Sequence, residues 1–214
     1  MLEEGDVPYG EDWQVPAEVL AWAAAADEKR PWRTQIRERF AAEVQALRTG
    51  ARVLELGSGP GFLAECVLQR CPTLESYTLL DFSPQMLALS RKRLGPFSAA
   101  RFVEASFKSA EWVNQIEARV DCVVSMQAIH EVRHKRHVLP LYRQVHQVLA
   151  PGGRVLICDH LPFDDTPRSL ALYMTEAEQH AALSASGFES VQTLLSINGL
   201  LLYSAERAGQ SAVS

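Results

Sequence analysis

The sequence predicts an α/β fold: a doubly wound, mostly parallel seven-stranded sheet that ends in an antiparallel hairpin and carries a helical cap ahead of it. Three observations predict it. After Gly50, short apolar strands alternate with helical stretches, the pattern of a parallel sheet covered on both faces. The turn after the first of these strands is rich in glycine. Near the end of the chain, Asn198-Gly199 joins two β-prone runs, the strongest short-range hairpin signal.

Taken in order, residues 1–15 mix Gly, Pro, Asp, Tyr9 and Trp13 without a period and read as an arm, or as a flap that orders over something. The alanine-rich stretch from Pro16 to Asp27 favours helix, and Pro31 suits the first turn of a second helix through Ile36, Phe40, Val44 and Leu47, ended by Gly50. Residues 1–50 are therefore read as arm and helical cap, 51–207 as the sheet domain and 208–214 as a loose tail. Strands are expected over Arg52–Leu56, Ser76–Asp81, Ala100–Val103, Val120–Ser125 and Arg154–Asp159, with helices over Phe62–Arg70, Pro84–Leu94, Ala110–Ile116 and His137–Leu149. Pro151-Gly152-Gly153 is read as the break between the last of these helices and the fifth strand. Thr175-Glu176-Ala177-Glu178 has the spacing of a capping box that starts one more helix. Phe188–Ile197 and Leu200–Ala205 then supply the hairpin.

A chain of 214 residues accommodates one such domain with an appendage, not two. Its net charge of -5 gives no bulk attraction to phosphate backbones or anionic lipid, which disfavours a nucleic-acid partner and leaves a small-molecule substrate as the expectation. The acidic start, Met1 to Asp6, lacks the character of a signal peptide and no apolar run reaches the length of a membrane span, so a cytoplasmic protein is expected, with room for a homodimer. Cys66, Cys71, Cys122 and Cys158 include no C-x-x-C pair and are read as buried reduced thiols, not as metal ligands.

The glycine turn reads Glu55-Leu56-Gly57-Ser58-Gly59-Pro60-Gly61. Glycines permit positive φ and close backbone approach, and the helix start that follows offers unpaired N–H groups and partial positive charge to a ligand. Asp81 stands at the end of the next strand, where a carboxylate can accept both hydroxyl protons of a ribose. A structural tight turn and a helix cap would explain either element alone, but not the two together.

On these residues the chain resembles a class I S-adenosylmethionine-dependent methyltransferase over roughly Ala51 to Arg207. The resemblance implies a Rossmann-like domain that binds S-adenosylmethionine through Glu55, Leu56, Gly57, Ser58, Gly59 and Gly61, with Asp81 on the ribose and Phe82 or Met86 packing the adenine. Ala105 and Ser106 occupy the segment that often ends in an aspartate accepting from the adenine amino group; a serine accepts more weakly because it carries no charge. Ser125, Met126 and Gln127, after the fourth strand, would border the methionine end. A nicotinamide cofactor shares the fold logic, but its loops read G-x-G-x-x-G, whereas this loop is G-x-G-x-G.

His130-Glu131-Val132-Arg133-His134 matches the zinc-protease pattern H-E-x-x-H. It follows a strand at a loop instead of lying inside a long helix, so no metal is expected, and Arg133-His134-Lys135-Arg136 is read as a solvated helix start. In the methyltransferase reading the same loop borders the transferred methyl group, which makes His130, with Glu131 beside it, the candidate to take a proton from the acceptor. The alternative for His130 is a plain pocket wall. The Asn/Asp-Pro-Pro-aromatic signature of adenine and amide methylases is replaced by Ser125-Met126-Gln127-Ala128. With only His160 to Met174 between strand five and the next helix, the roof over the acceptor is expected from the first fifty residues, where Tyr9, Trp13, Trp22 and Trp32 either line it or pack the cap. The expected activity is methyl transfer to oxygen or nitrogen of a small molecule; a protein or RNA methyltransferase with an open site, and a non-catalytic cofactor-binding partner, are the alternatives.

Overall fold

The computed structural model describes residues 5–10, 13–26 and 28–209. Residues 1–4, 11 and 12 of the arm, Asp27 at the expected end of the first helix, and residues 210–214 of the tail lie outside the described residues. Seven strands form one sheet in the order β3-β2-β1-β4-β5-β7-β6. They are β1 (Arg52–Leu56), β2 (Ser76–Asp81), β3 (Ala100–Glu104), β4 (Val120–Met126), β5 (Leu149–His160), β6 (Phe188–Ile197) and β7 (Leu200–Arg207). The first five are parallel, and β7 runs antiparallel between β5 and β6, as the Asn198-Gly199 turn requires. Strand order reverses between β1 and β4, which opens a crevice at their carboxyl ends, the place where open α/β sheets bind ligands.

Both faces are covered, and the period-two alternation of a strand sends successive residues to opposite cores. Leu54, Leu56, Val123 and Ile157 pack toward α5 (Val138–Val148) and α7 (Glu176–Ala185). Val53, Tyr77, Val124 and Leu156 pack toward α2 (Arg33–Gln45) and α3 (Phe62–Arg70). Ile36, Phe40 and Val44 of α2 are fully buried, so the second cap helix is part of this core. The first, α1 (Pro16–Ala25), rests against α4 (Pro84–Leu94). The α7 start is a capping box: Thr175 accepts from the backbone of Glu178, whose side chain reaches back.

Four local expectations change. Ala110–Gln115 is a 3-10 helix instead of an α-helix, because Ser109 caps it at Glu111 and Ile116 is already extended. Strand β5 starts at Leu149, ahead of Pro151-Gly152-Gly153; Gly152 takes φ 76° and the register against β4 shifts there, so the glycines form an irregularity inside the strand. Helix α2 begins at Arg33, after Pro31 and Trp32 have made a turn. The stretch after β5 contains a short helix, α6 (Pro167–Leu172), with Pro167 in its first turn and Thr166 as its cap. All four cysteines are free, and Cys71, Cys122 and Cys158 are buried.

Candidate functional site

The glycine turn leaves β1 and enters α3 with Gly57, Gly59 and Gly61 all at positive φ. At Gly57 nothing larger fits: a Cβ there would lie 2.4 Å from Cβ of Ala128, in the loop after β4. At Gly59 the reverse holds, because a Cβ would meet nothing within 4 Å and would project into open space. Asp81 sets this loop. One of its oxygens accepts from the Gly59 N–H at 2.8 Å and the other from the Ser83 N–H at 2.9 Å. A carboxylate has about four acceptor positions, so acceptor capacity remains for a ligand diol. Burial pushes the Asp81 pKa up to about 6, against the opposing pull of those N–H bonds.

Beside the loop lies an open cleft. Glu55, Ser58, Trp22, Arg33 and Gln127 all line it. The Ser58 hydroxyl is buried there with no hydrogen-bond partner, a polar atom suited to a bound ligand. Glu55 is only 2% exposed and accepts from the Tyr77 hydroxyl at 2.9 Å. Burial outweighs that bond and raises its pKa to about 8, so the carboxyl is mostly neutral at pH 7. Arg33 and Arg37, both buried, bring two guanidinium groups from α2 to the same cleft. Arg33 sits over the Trp22 ring and donates from Nε to Oε1 of Gln127 at 2.6 Å. Neither arginine was legible as a site residue, since both read as ordinary charges on a cap helix.

The remaining residues expected at the cofactor fall in three places. Met126 and Gln127 line the cleft, with Gln127 held at φ 55°. Phe82 follows Asp81 in the chain, the Ala105 N–H donates to the Asp81 carbonyl, Met86 is buried at the start of α4, and the Ser106 hydroxyl accepts from Lys108 N. Leu56 and Ser125 point elsewhere, Leu56 into the core and the fully buried Ser125 hydroxyl onto the Leu56 carbonyl at 2.9 Å, where it ties β4 to β1.

A second cluster adjoins the cleft. His130 and Glu131 lie in the 3-10 turn Ile129–Val132. Asp159, at the end of β5, accepts from the His130 backbone N–H at 2.9 Å and holds His130 Nδ1 at 2.8 Å. Glu131 stands 3.5 Å from Nε2. Burial alone would depress the His130 pKa, but the Asp159 carboxylate, with Glu131 behind it, overrides burial and raises it. Its neighbour His160 goes the other way: burial and the nearby positive charges pull its pKa down to about 4 despite Asp159. Gln127 Nε2 lies 2.8 Å from His160 Nε2. A neutral His160 accepts there, so Arg33, Gln127 and His160 form a chain from cleft to cluster. Tyr173 packs on both imidazoles, at 5.3 Å and 5.5 Å between ring centres. Asp159 and His160 were missed from the sequence; an acid closing a strand is the same signal that marked Asp81.

The H-E-x-x-H residues are committed to other partners. His130 is paired with Asp159, Glu131 accepts from Arg133 Nη1 at 3.2 Å, and His134 Nδ1 accepts from Arg136 N. Among the described residues no group of three or more His, Cys, Asp or Glu could hold a metal ion. Arg133 departs from the expected solvated run: it is 4% exposed, because its guanidinium is enclosed by Glu131 and the arm.

The family model described as a methyltransferase domain matches residues 53–153, from β1 through the glycine turn into β5. Over this stretch, a little under half of its length, the chain is similar to class I S-adenosylmethionine-dependent methyltransferases. The ubiquinone/menaquinone biosynthesis C-methyltransferase UbiE of Pseudomonas savastanoi pv. phaseolicola is 32% identical over 122 residues, which cover 57% of this chain and 46% of that protein. The chain thus matches about half the length of this curated relative. Among solved structures, human N-acetylserotonin methyltransferase in complex with its cofactor superposes with TM-score 0.72 at 19% identity, over 96% of this chain and 64% of that one. The CurJ carbon methyltransferase gives 0.73 at 15% identity, over 89% and 58%. These two likenesses establish the fold. The residues of the cleft fit the cofactor of such methyltransferases on their own chemistry: Asp81 keeps acceptor capacity for a diol, Gly59 leaves room for close approach, and the orphan Ser58 hydroxyl with Glu55, Arg33 and Arg37 suits the zwitterionic amino-acid end.

Proposed function

We propose that this chain catalyses methyl transfer from S-adenosylmethionine to an oxygen or nitrogen of a small molecule, by in-line displacement. The observation that carries the acceptor side is the His130–Asp159 pair, joined to the cofactor cleft through Gln127 and His160. Bound S-adenosylmethionine supplies a methyl group already activated on a sulfonium, so the protein's work is alignment in a dry site and disposal of one proton. Asp81 and the glycine turn would hold the nucleoside; Glu55, Ser58, Arg33 and Arg37 would hold the amino-acid end. Asp159 fixes His130 through Nδ1 and through its backbone N–H, which leaves Nε2 as the atom that receives the acceptor's proton. An imidazole whose cation is stabilised by Asp159 is a strong proton acceptor, and in the resting site at neutral pH it already carries a proton. Turnover that depends on it therefore rises with pH until His130 is neutral.

Carbon as the accepting atom is the second reading, supported by the printed activities of UbiE and CurJ, both carbon methyltransferases. Release of S-adenosylhomocysteine across panels of hydroxylated, amino and activated-carbon metabolites, with peptides and RNA alongside, tests both. Product analysis by mass spectrometry and NMR then assigns the methylated atom. Turnover confined to peptides or RNA would overturn the small-molecule proposal, and S-adenosylmethionine binding without any turnover would favour the non-catalytic alternative.

A further inference from the structure

The described part of the N-terminal arm crosses the carboxyl rim of the sheet and touches four of the segments that follow its parallel strands. Trp13 accepts from the Ser83 hydroxyl after β2. The Tyr9 ring lies under Lys108 after β3, with Nζ 4.4 Å from the ring centre, and beside Arg133 after β4, at 4.8 Å. Asp6 pairs with Arg136 and His137 at 2.8 Å each. Gly10 approaches Arg168 of α6, after β5: a Cβ on that glycine would lie 3.9 Å from the guanidinium. The Trp13–Ser83 contact lies two residues past Asp81, which is only 6% exposed.

Arg133 holds the backbone of the arm. Arg133 donates from Nε to the Val7 carbonyl at 2.9 Å and from Nη2 to the Pro8 carbonyl at 2.6 Å, and its own carbonyl accepts from the Val7 N–H at 2.9 Å. It does so from a left-handed backbone at φ 69°, unusual for a long side chain. The remaining arm of the guanidinium, Nη1, holds Glu131 at 3.2 Å. Glu131 is therefore shared. Its other oxygen stands 3.5 Å from His130 Nε2, longer than a good hydrogen bond. A buttress for a terminal coil would need the carbonyl contacts alone; the link to Glu131 adds a connection to the acceptor side.

We propose that Arg133 is a positioning residue that couples the N-terminal arm to His130: with the arm fastened across the rim, Arg133 holds Glu131 back from Nε2, and with the arm released Glu131 closes on Nε2 and blocks it. The arm is then a strap over the bound cofactor whose closure also readies the acceptor side. The groups facing His130 are Asp159 and His160 of β5, Tyr173 after α6, Glu131 on its own turn and Arg133 behind Glu131. Among them only Glu131 bonds to the residue that fastens the arm. The inference rests on the proposed reading of His130, and its test separates the two.

Three variants of the full chain test it: Arg133→Ala, Arg133→Lys, and Tyr9→Ala, the last at a 40% exposed side chain that does not touch His130. Hydrogen exchange at the Val7 amide reports the strap, the dissociation rate of S-adenosylhomocysteine reports closure over the site, and ¹⁵N NMR titration of His130 reports the coupling. In the parent chain S-adenosylhomocysteine should slow Val7 exchange. All three variants should speed Val7 exchange and release S-adenosylhomocysteine about tenfold faster or more. Tyr9→Ala should also move the His130 titration upward, since a released Glu131 favours the imidazolium. Unchanged exchange and release in both Arg133 variants would overturn the strap. A loosened arm in Tyr9→Ala with an unmoved His130 titration would overturn the coupling. If His130→Ala left turnover intact, the base would fail while the exchange and NMR results still decided the coupling.

Discussion

Glu55 makes the sharpest prediction, because one substitution should act in opposite directions on the free and the ligand-bound protein. The carboxyl is buried against the Tyr77 hydroxyl and its pKa rises from 4.5 to about 8. Between those two values the folded chain keeps the proton while the unfolded chain has lost it. Unfolding then releases a proton, so stability falls as pH rises, by ~1.4 kcal/mol per pH unit. Relative to pH 4.5, the penalty reaches about 3 kcal/mol at pH 7 and about 4 kcal/mol at pH 8. Both are upper figures, since the interior relaxes around a charge. Glu55→Gln keeps the shape, accepts from Tyr77 through its amide oxygen and does not titrate. Urea denaturation of both chains at about pH 5 and about pH 8 should find the glutamine variant gaining on the parent as pH rises, with the difference levelling off above pH 8. In the bound state the sign reverses. A ligand ammonium beside Glu55 favours the carboxylate, so the parent should release protons on binding S-adenosylhomocysteine, read by calorimetry in buffers of different ionisation enthalpy, and Glu55→Gln should bind more weakly with less release. A stability difference that does not change with pH would refute the assignment of a neutral Glu55. Binding that leaves protonation and affinity untouched would remove it from the amino-acid end of the site.

Asp81→Asn should weaken S-adenosylhomocysteine about tenfold or more, ~1.4 kcal/mol by calorimetry, since an amide offers the diol fewer acceptors; unchanged affinity would take Asp81 out of the site. The two loop glycines should part company. Gly57→Ala drives a Cβ to 2.4 Å from Ala128 and should cost more than about 1 kcal/mol in urea denaturation, whereas Gly59→Ala, whose Cβ meets nothing within 4 Å, should cost less stability and more cofactor affinity. The opposite ranking would contradict the assignment of Gly59 to the ligand side. Asp159→Asn removes the main partner that raises the His130 pKa, so the rising limb of the pH–rate profile should move to lower pH and its plateau should drop. A profile that stays in place would mean that another group takes the proton.

Much of the fold was legible because each strand of a doubly wound sheet announces itself twice, by an apolar run and by the turn or helix start behind it. Asn198-Gly199 fixed the one antiparallel event, and the acid expected at the end of β2 is the carboxylate that ties down the glycine turn at Gly59. The misreadings share a cause. Gly152 and Gly153 break a helix in sequence, yet a strand tolerates them as an irregularity once β4 supplies the pairing, a tertiary fact that local pattern does not contain. Ala110–Gln115 has helical composition but too short a span between its cap and the extended Ile116 to pass beyond a 3-10 turn.

The site divides along the same line. Residues that act through backbone shape, the glycines, were readable because few other residues can do what they do. Residues that act through side chains brought from afar were not. Arg33 lies 94 positions from Gln127 and Arg133 lies 126 from Val7, and on their own helix and turn each looks like a solvated charge. Burial decides otherwise: a guanidinium taken out of water must be met by several acceptors, and the acceptors that meet Arg133 are two arm carbonyls and Glu131. The cost of burying that charge therefore favours an arm that stays docked on the rim. The same argument makes lysine a poor substitute, because a single ammonium cannot span the arm and Glu131 at once, and it is why Arg133→Lys, with charge conserved, is the stricter test of whether the fork or the charge fastens this cleft.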